Sequence, residues 1–95
     1  MPESLTIMGI DPGSRVTGFG LVRVDGSRIG YISSGVIRLK SDDFADRLRL
    51  IFDQMSVLLS EHRPREVAIE RVFMHRNADS ALKLGQARAA AICAT

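Results

Sequence analysis

Two carboxylic acids stand where the sequence predicts that a strand ends. Asp11 follows the apolar run 5–10 and precedes a proline, and Glu70 closes the apolar run 67–69. A residue before proline is pushed into extended geometry, so we expect Asp11 to be the last residue of its strand. Because neighbouring strands lie about 4.8 Å apart, adjacent strands would bring both carboxylates into one small volume.

Such a pair of acids suggests metal-assisted phosphodiester chemistry. Two like charges this close repel each other unless a cation lies between them. Oxygen ligands suit Mg²⁺ or Mn²⁺, and paired ions about 3.5 to 4 Å apart activate water and stabilise the leaving oxygen in in-line phosphodiester cleavage. The alternative is that Asp11 only caps a turn and Glu70 only ends a strand in solvent, since Asp before a turn is common for its hydrogen bonding alone. Spacing by itself leaves both interpretations open.

The elements that must position these acids follow the order βββαβα. Segment 16–24 is rich in β-branched and aromatic residues, and Asp25-Gly26 predicts a hairpin into 28–39, which gives three antiparallel strands. A helix capped within 41–43 has apolar residues at three- and four-residue spacing and ends near Pro64. It acts as a crossover, so a short buried strand at 67–70 can run parallel to the first strand.

A second helix is predicted from a cap at Asn77 to the end of the chain. Its stripe of small and apolar residues either packs on the sheet or meets its twin across a dimer axis: Ala81, Gly85, Ala89 and Ile92. No glycine cap, basic last turn or polar tail follows, which indicates a domain truncated on its C-terminal side. An open sheet edge would then make the chain prone to associate.

The length and composition of the chain indicate one small domain over residues 1–95. The chain is 45% hydrophobic and 25% charged, with a net charge of +2 and a pI near 9.2, a mild basic bias that permits an anionic partner. Its one cysteine, Cys93, cannot form an internal disulfide, which excludes a small secreted domain held together by disulfide bonds. The sequence contains neither an apolar run long enough to span a membrane nor the pattern of a signal peptide. We therefore expect a cytoplasmic protein without a membrane partner.

Three linked motifs closely resemble the bacterial RuvC Holliday-junction resolvases, in order and at matching separations. They read GIDPGSRVTGFG at 9–20, AIERVF at 68–73 and NADSALKLGQAR at 77–88. The resemblance implies a ribonuclease-H-like fold and a Mg²⁺-dependent homodimeric endonuclease that makes paired symmetric nicks in four-way DNA junctions. It also implies a role in DNA recombination and repair, with branch-migration motor proteins as partners.

The resemblance further assigns roles to individual residues. The family's active site has four acidic residues: the first two match Asp11 and Glu70, which makes them catalytic metal ligands, and the other two lie in a C-terminal helix that this chain lacks. A complete site would hold two Mg²⁺ ions, with Mn²⁺ as a substitute. Arg71 departs from the family, which often carries Gln at that position.

Residues around Glu70 are candidates for DNA contact. The family's phenylalanine matching Phe73 contacts bases near the junction centre, and stacking on a ring contributes about 1 to 3 kcal/mol; the alternative is a core anchor beneath the second helix. Arg71, His75 and Arg76 flank that ring, so they either neutralise phosphates or are simply solvated. His75 has no second histidine or cysteine at metal-ligand spacing, which argues against a metal role.

Three further residues have a DNA-binding interpretation beside a simpler one. Ser14 and Arg15 could present main-chain N–H groups and a guanidinium to phosphate, although a tight turn that needs Gly13 explains the same pattern. Lys83 could touch DNA from the second helix, where lysines more often face solvent.

Two rival functions stay open. The first is a non-cleaving, branched-DNA-binding fragment of such an enzyme, which predicts Mg²⁺-independent binding without nicks. The second is an ATP-binding domain of the actin and sugar-kinase type, whose sheet also opens with a strand ending in an Asp-x-Gly turn. That second reading leaves the motifs at 70–73 and 77–88 unexplained.

Overall fold

The computed structural model describes residues 4–71 and 78–95. The elements confirm the predicted βββαβα order, with these bounds: β1 Leu5–Asp11, β2 Val16–Asp25, β3 Arg28–Arg38, α1 Phe44–His62, β4 Glu66–Ile69 and α2 Ala78–Ala94. No helix within these two ranges combines the length and the apolar character needed to cross a membrane.

The four strands form one mixed sheet in the order β3-β2-β1-β4. β1 pairs antiparallel with β2 and β2 antiparallel with β3, while β4 lies parallel to β1. The β2–β3 hairpin turns through Gly26, whose φ of 64° lies in the left-handed region that glycine enters without steric cost. The crossover through α1 therefore places β4 beside β1, as the sequence predicts.

The core lies between one face of the sheet and the two helices. In β1, Met8 and Ile10 are buried, whereas Gly9 and Asp11 are exposed on the opposite face. Strand side chains alternate between faces, so this pattern fixes which face carries the acid. The buried apolar residues are Met8, Ile10, Leu21, Ile37, Leu39, Ile51, Met55, Ala87 and Ala91.

α1 begins and ends close to the predicted positions. Asp43 is the N-cap residue, but its side chain makes no capping hydrogen bond among the described residues; its main-chain N–H donates to Ser41 Oγ at 3.2 Å. At the other end, Arg63 is left-handed with φ 44°, and its N–H donates to the Leu59 carbonyl oxygen. Pro64 follows, which prevents continuation of the helix.

Of the two alternatives for the α2 stripe, the structure contradicts packing on the sheet and leaves the dimer contact a prediction. Ala87 and Ala91 are fully buried, whereas Ala89 is exposed and Ile92 is 39% exposed. Alanines occupy several faces of this helix, so their spacing carries little information about which face packs inward. The contact of α2 with α1 decides the face instead. The side chain of Ala81 lies outside the described part of the chain.

The prediction of a buried fourth strand is also wrong in part. In β4, Val67 and Ile69 are partly buried, but Glu66 and Ala68 are exposed, an alternating pattern. The strand is covered by the helices on one face only, so its second face stays open, like that of β1. Glu70 lies one residue beyond the strand.

Candidate metal centre

The structure brings the two predicted carboxylates together at one end of the sheet. Asp11 is the last residue of β1 and pairs with Gly18 of β2. β4 runs beside β1 with Ile10 opposite Ile69, and the main-chain N–H of Glu70 donates to the Ile10 carbonyl oxygen at 3.0 Å. Both acids thus leave neighbouring parallel strands at the same level, which is the arrangement that the crossover topology requires.

The two carboxyl groups interact directly. A hydrogen bond with Asp11 raises the pKa of Glu70 above its ordinary value of 4.5, and the negative charge of Asp11 raises it further. Both residues are exposed, so burial contributes least to the shift. A cation bound between two such neighbouring carboxylates relieves their repulsion.

The donor set fits a hard divalent cation. Among residues 4–71 and 78–95, no group of three or more His, Cys, Asp or Glu side chains could hold a metal ion. Mg²⁺ nevertheless needs few protein ligands, because it keeps several waters and is commonly held by one or two carboxylates together with substrate phosphates. Asp11 and Glu70 would be those two ligands.

Glycines form the sheet surface beside the acids, and we call Gly9, Gly18 and Gly20 the glycine floor. Gly18 pairs with Asp11, and Gly9 pairs with both Gly20 and Ala68. An open depression of about 530 Å³ lies over this floor and reaches both carboxylates. A Cβ at Gly9 or Gly20 would meet no atom within 4 Å, so packing among the described residues does not require glycine there.

The turn that follows Asp11 is held by its own hydrogen bonds. The Thr17 hydroxyl, fully buried, accepts from the Gly13 N–H at 3.3 Å and donates to the Gly13 carbonyl oxygen at 3.1 Å. A Cβ on Gly13 would overlap the Val16 carbonyl oxygen. The tight-turn explanation for this glycine is therefore sufficient.

The predicted DNA-contact residues fall into three groups. Ser14 and Arg15 lie in the turn after Asp11, and Arg71 is exposed directly after Glu70. Lys83 lies beside α1, with its ammonium 5.9 Å from the centroid of the Phe44 ring. Phe73, Arg76 and the neighbouring His75 lie outside the described residues.

Sequence reasoning missed two arginines that hydrogen-bond the main chain near the acids. Arg47 of α1 donates from Nε to the Ser14 carbonyl oxygen at 2.8 Å, and Arg88 of α2 donates from Nε to the Glu70 carbonyl oxygen at 3.0 Å. A signal existed for Arg47, since it lies four residues before Ile51 on the buried side of α1. No such spacing marked Arg88 in α2.

The sheet order and crossover of this chain are those of a ribonuclease-H-like α/β domain. Residues 7–95 match the family model described as crossover junction endodeoxyribonuclease RuvC. The chain belongs to the RuvC family, which confirms the resemblance seen in its motifs.

Relatives with that name support the assignment. The chain is 58% identical over 88 residues to crossover junction endodeoxyribonuclease RuvC of Methylococcus capsulatus, covering 93% of this chain and 53% of the relative. It is 58% identical over 86 residues to the Marinobacter nauticus protein of that name, covering 90% and 49%. The chain thus spans about half the length of these relatives.

Solved structures agree with the fold. A Thermus thermophilus RuvC in complex with a Holliday junction substrate superposes with a TM-score of 0.85 at 29% identity, over 95% of this chain and 58% of that one. A second Thermus thermophilus RuvC structure gives a TM-score of 0.81 at 30% identity, over 95% and 57%. An Aquifex aeolicus PPX-GPPA enzyme, at 14% identity and a TM-score of 0.56 over 85% and 32%, shares the fold alone.

Proposed function

We propose that this chain supplies the first half of a Mg²⁺-dependent endonuclease that resolves four-way DNA junctions by paired symmetric nicks. Its family membership supports the reaction class, and the junction-bound Thermus thermophilus relative supports the substrate. The observation that carries the proposal is that Asp11 and Glu70 leave the adjacent strands β1 and β4 at the same end of the sheet.

In this mechanism the protein provides position and charge. Asp11 and Glu70 would hold Mg²⁺, with Mn²⁺ as a substitute, and a complete site of two ions would need carboxylates beyond this pair. The bound metal would supply Lewis-acid polarisation of the phosphodiester and an activated water. The glycine floor presents no side chains beside the acids, so a phosphodiester backbone can approach both carboxylates closely.

We further propose which residues bind the junction. Arg71 is exposed beside Glu70, and Ser14 and Arg15 lie in the turn after Asp11, so their positions suit phosphates entering the depression. Phe73, Arg76 and Lys83 stay predictions from the motifs. Two-fold cutting of a two-fold junction requires a homodimer, and a cytoplasmic location and branch-migration motor partners complete the proposal.

A second function is favoured by one observation. The described residues provide a pair of carboxylates rather than a group of three or more acidic side chains. A chain with that pair alone would recognise branched DNA without cutting it. Binding would then be independent of Mg²⁺, whereas nicking requires it.

Nicking of an end-labelled four-way junction by this 95-residue chain in Mg²⁺ tests the proposal. We expect symmetric nicks in the junction and none in a linear duplex of the same sequence. Asp11→Asn and Glu70→Gln should each lower nicking at least about 100-fold, the upper end of what loss of even an outer-shell partner costs a metal site. Asp25→Asn, in the β2–β3 hairpin at the opposite end of β2, is the matched control and should cut normally.

Each other result has a defined meaning. Junction binding without nicks, unchanged by chelation of Mg²⁺, would replace the nuclease proposal with the binding function. Nicks that persist in both Asp11→Asn and Glu70→Gln would exclude this pair as the catalytic centre. Thermal stabilisation by ATP but not by junction DNA would favour the nucleotide-binding alternative.

A further inference from the structure

A buried guanidinium connects the two loops at the Asp11 end of the sheet. Arg47 is 4% exposed; its Nε donates to the Ser14 carbonyl oxygen and its Nη1 to the Ser41 carbonyl oxygen, both at 2.8 Å. Its guanidinium carbon lies 5.3 Å from the centroid of the Phe44 ring. In parallel, the Leu39 N–H donates to the Arg15 carbonyl oxygen at 2.8 Å. The turn after Asp11 is thereby fixed to the segment that precedes α1.

A second arginine fixes the other acid. Arg88 donates to the carbonyl oxygen of Glu70 at 3.0 Å, while the Glu70 N–H donates to the Ile10 carbonyl oxygen at 3.0 Å. Both main-chain polar groups of Glu70 are therefore bonded, one to β1 and one to α2. This matters because Glu70 lies beyond the last residue of a four-residue strand and has no strand pairing of its own.

Stability alone is a poor explanation for a buried arginine at position 47. Removing a guanidinium from water is costly, and well-packed apolar residues often replace buried charges without loss of stability. What a guanidinium adds is geometry, because its rigid fork of donors fixes two acceptors at once. Here the two acceptors are main-chain oxygens on different loops, so the fork sets the distance between them.

We propose that Arg47 and Arg88 are positioning residues for the metal centre. Each holds main chain beside one carboxylate: Arg47 fixes the turn after Asp11 through Ser14, and Arg88 fixes Glu70 directly. Both act from the helices, and together they fix the main chain that carries the two carboxylates. This inference rests on the proposed function, since it assumes that Asp11 and Glu70 bind the cation.

Binding of Mn²⁺ to the 95-residue chain, followed by electron paramagnetic resonance without DNA, tests this role. Arg47→Lys keeps the charge but loses the fork, and Arg88→Met keeps an apolar stem but loses the donor. Each should weaken Mn²⁺ binding about tenfold, the lower end of the loss seen when an outer-shell partner of a metal site is removed. Because DNA is absent, loss of a phosphate contact cannot produce this effect.

Two controls separate positioning from general loss of stability. Arg49→Met removes an exposed α1 arginine whose partners among residues 4–71 and 78–95 are Asp46 and Asp53 on its own helix, so it should bind Mn²⁺ normally. Ile51→Val destabilises the core by about 0.5 to 1.5 kcal/mol without changing either loop. Its Mn²⁺ affinity therefore shows how much destabilisation alone weakens binding.

A metal-free measurement checks the same geometry. Amide hydrogen exchange should accelerate at Leu39 in Arg47→Lys and at Glu70 in Arg88→Met, beyond the acceleration in Ile51→Val. The proposal is overturned if Asp11→Asn abolishes Mn²⁺ binding while Arg47→Lys and Arg88→Met bind as well as Ile51→Val. If Asp11→Asn binds Mn²⁺ like wild type, the metal centre itself is misplaced and the proposed function fails first.

Discussion

At the scale of single residues, the contact between Asp11 and Glu70 makes stability depend on pH. The pKa of Glu70 is raised in the folded chain, chiefly by its hydrogen bond with Asp11 and then by the charge of Asp11. A carboxyl group with a raised folded-state pKa binds protons more tightly when folded. Its contribution to stability is therefore fully present below its unfolded pKa and is lost as the pH rises through the folded value.

We therefore expect the metal-free chain to lose stability as the pH rises from below 4.5 through the folded pKa of Glu70. Asp11→Asn should bring the pKa of Glu70 back towards its ordinary value and remove this part of the pH dependence. Urea unfolding across that range, with the Glu70 carboxyl carbon followed by NMR, measures both effects. An unchanged Glu70 titration in Asp11→Asn, with Asp25→Asn as the control, would contradict the contact.

Individual residues differ in how far the sequence predicts them. The positions of Asp11 and Glu70 at strand ends were predictable, because the proline after Asp11 and the crossover before Glu70 are both local patterns that dictate strand ends. The hydrogen-bond partners of Arg47 and Arg88 were not, because each is a carbonyl oxygen whose position depends on how a helix packs against a distant loop. Every residue has a main-chain carbonyl oxygen, so the sequence does not indicate which of them accepts a hydrogen bond from a given arginine.

At the scale of elements, the turn between β1 and β2 allows only glycine at one position. Gly13 lies where a side chain would overlap the Val16 carbonyl oxygen, and the buried Thr17 hydroxyl bonds both its N–H and its carbonyl oxygen. Gly9 differs, since open space surrounds the position of its missing Cβ. The two glycines lie on either side of Asp11 and form a matched pair for mutation.

Gly13→Ala should lower the free energy of unfolding by about 1 to 3 kcal/mol, the usual cost of forcing atoms into an occupied space. Gly9→Ala should be neutral or stabilise the strand by up to about 1 kcal/mol, since glycine in a strand costs entropy. Urea unfolding of the two variants measures the difference. Equal stabilities would show that the turn shifts to accommodate the methyl group.

The elements themselves followed from the sequence more readily than their packing. Strand and helix bounds agree within a few residues because proline, Asp-Gly and apolar spacing are local signals. The buried face of α2 could not be predicted, since Ala87, Ala89 and Ala91 look alike in sequence and only contact with α1 distinguishes them.

At the scale of the whole molecule, the sheet face that carries the acids stays open among the described residues. Beyond the glycine floor it continues as an apolar surface, where Ile7 pairs with Val22 and Val22 with Tyr31. Tyr31 is 74% exposed and Ile29 is 72% exposed. Exposed apolar patches of this kind favour association.

We expect the 95-residue chain to self-associate through this face. Replacing Ile29 and Tyr31 together by lysine should weaken association at least about tenfold, because burial of one large apolar side chain contributes about 1.5 to 3 kcal/mol. Sedimentation velocity over a range of concentrations measures the dissociation constant. Val57→Lys, on an α1 residue that is 56% exposed, is the control, and equal weakening by this variant would place the contact elsewhere.

The position of β4 gives the metal centre one further property. Among the described strands β4 is the shortest, and it lies at the edge of the sheet with β1 as its neighbour there. A short edge strand can detach in a local unfolding event that leaves the rest of the domain intact. Glu70 would move with it, whereas Asp11 would stay paired with Gly18 of β2. A cation bound to both acids would therefore hold β4 against β1. Its affinity would be linked to the free energy of pairing between these two strands.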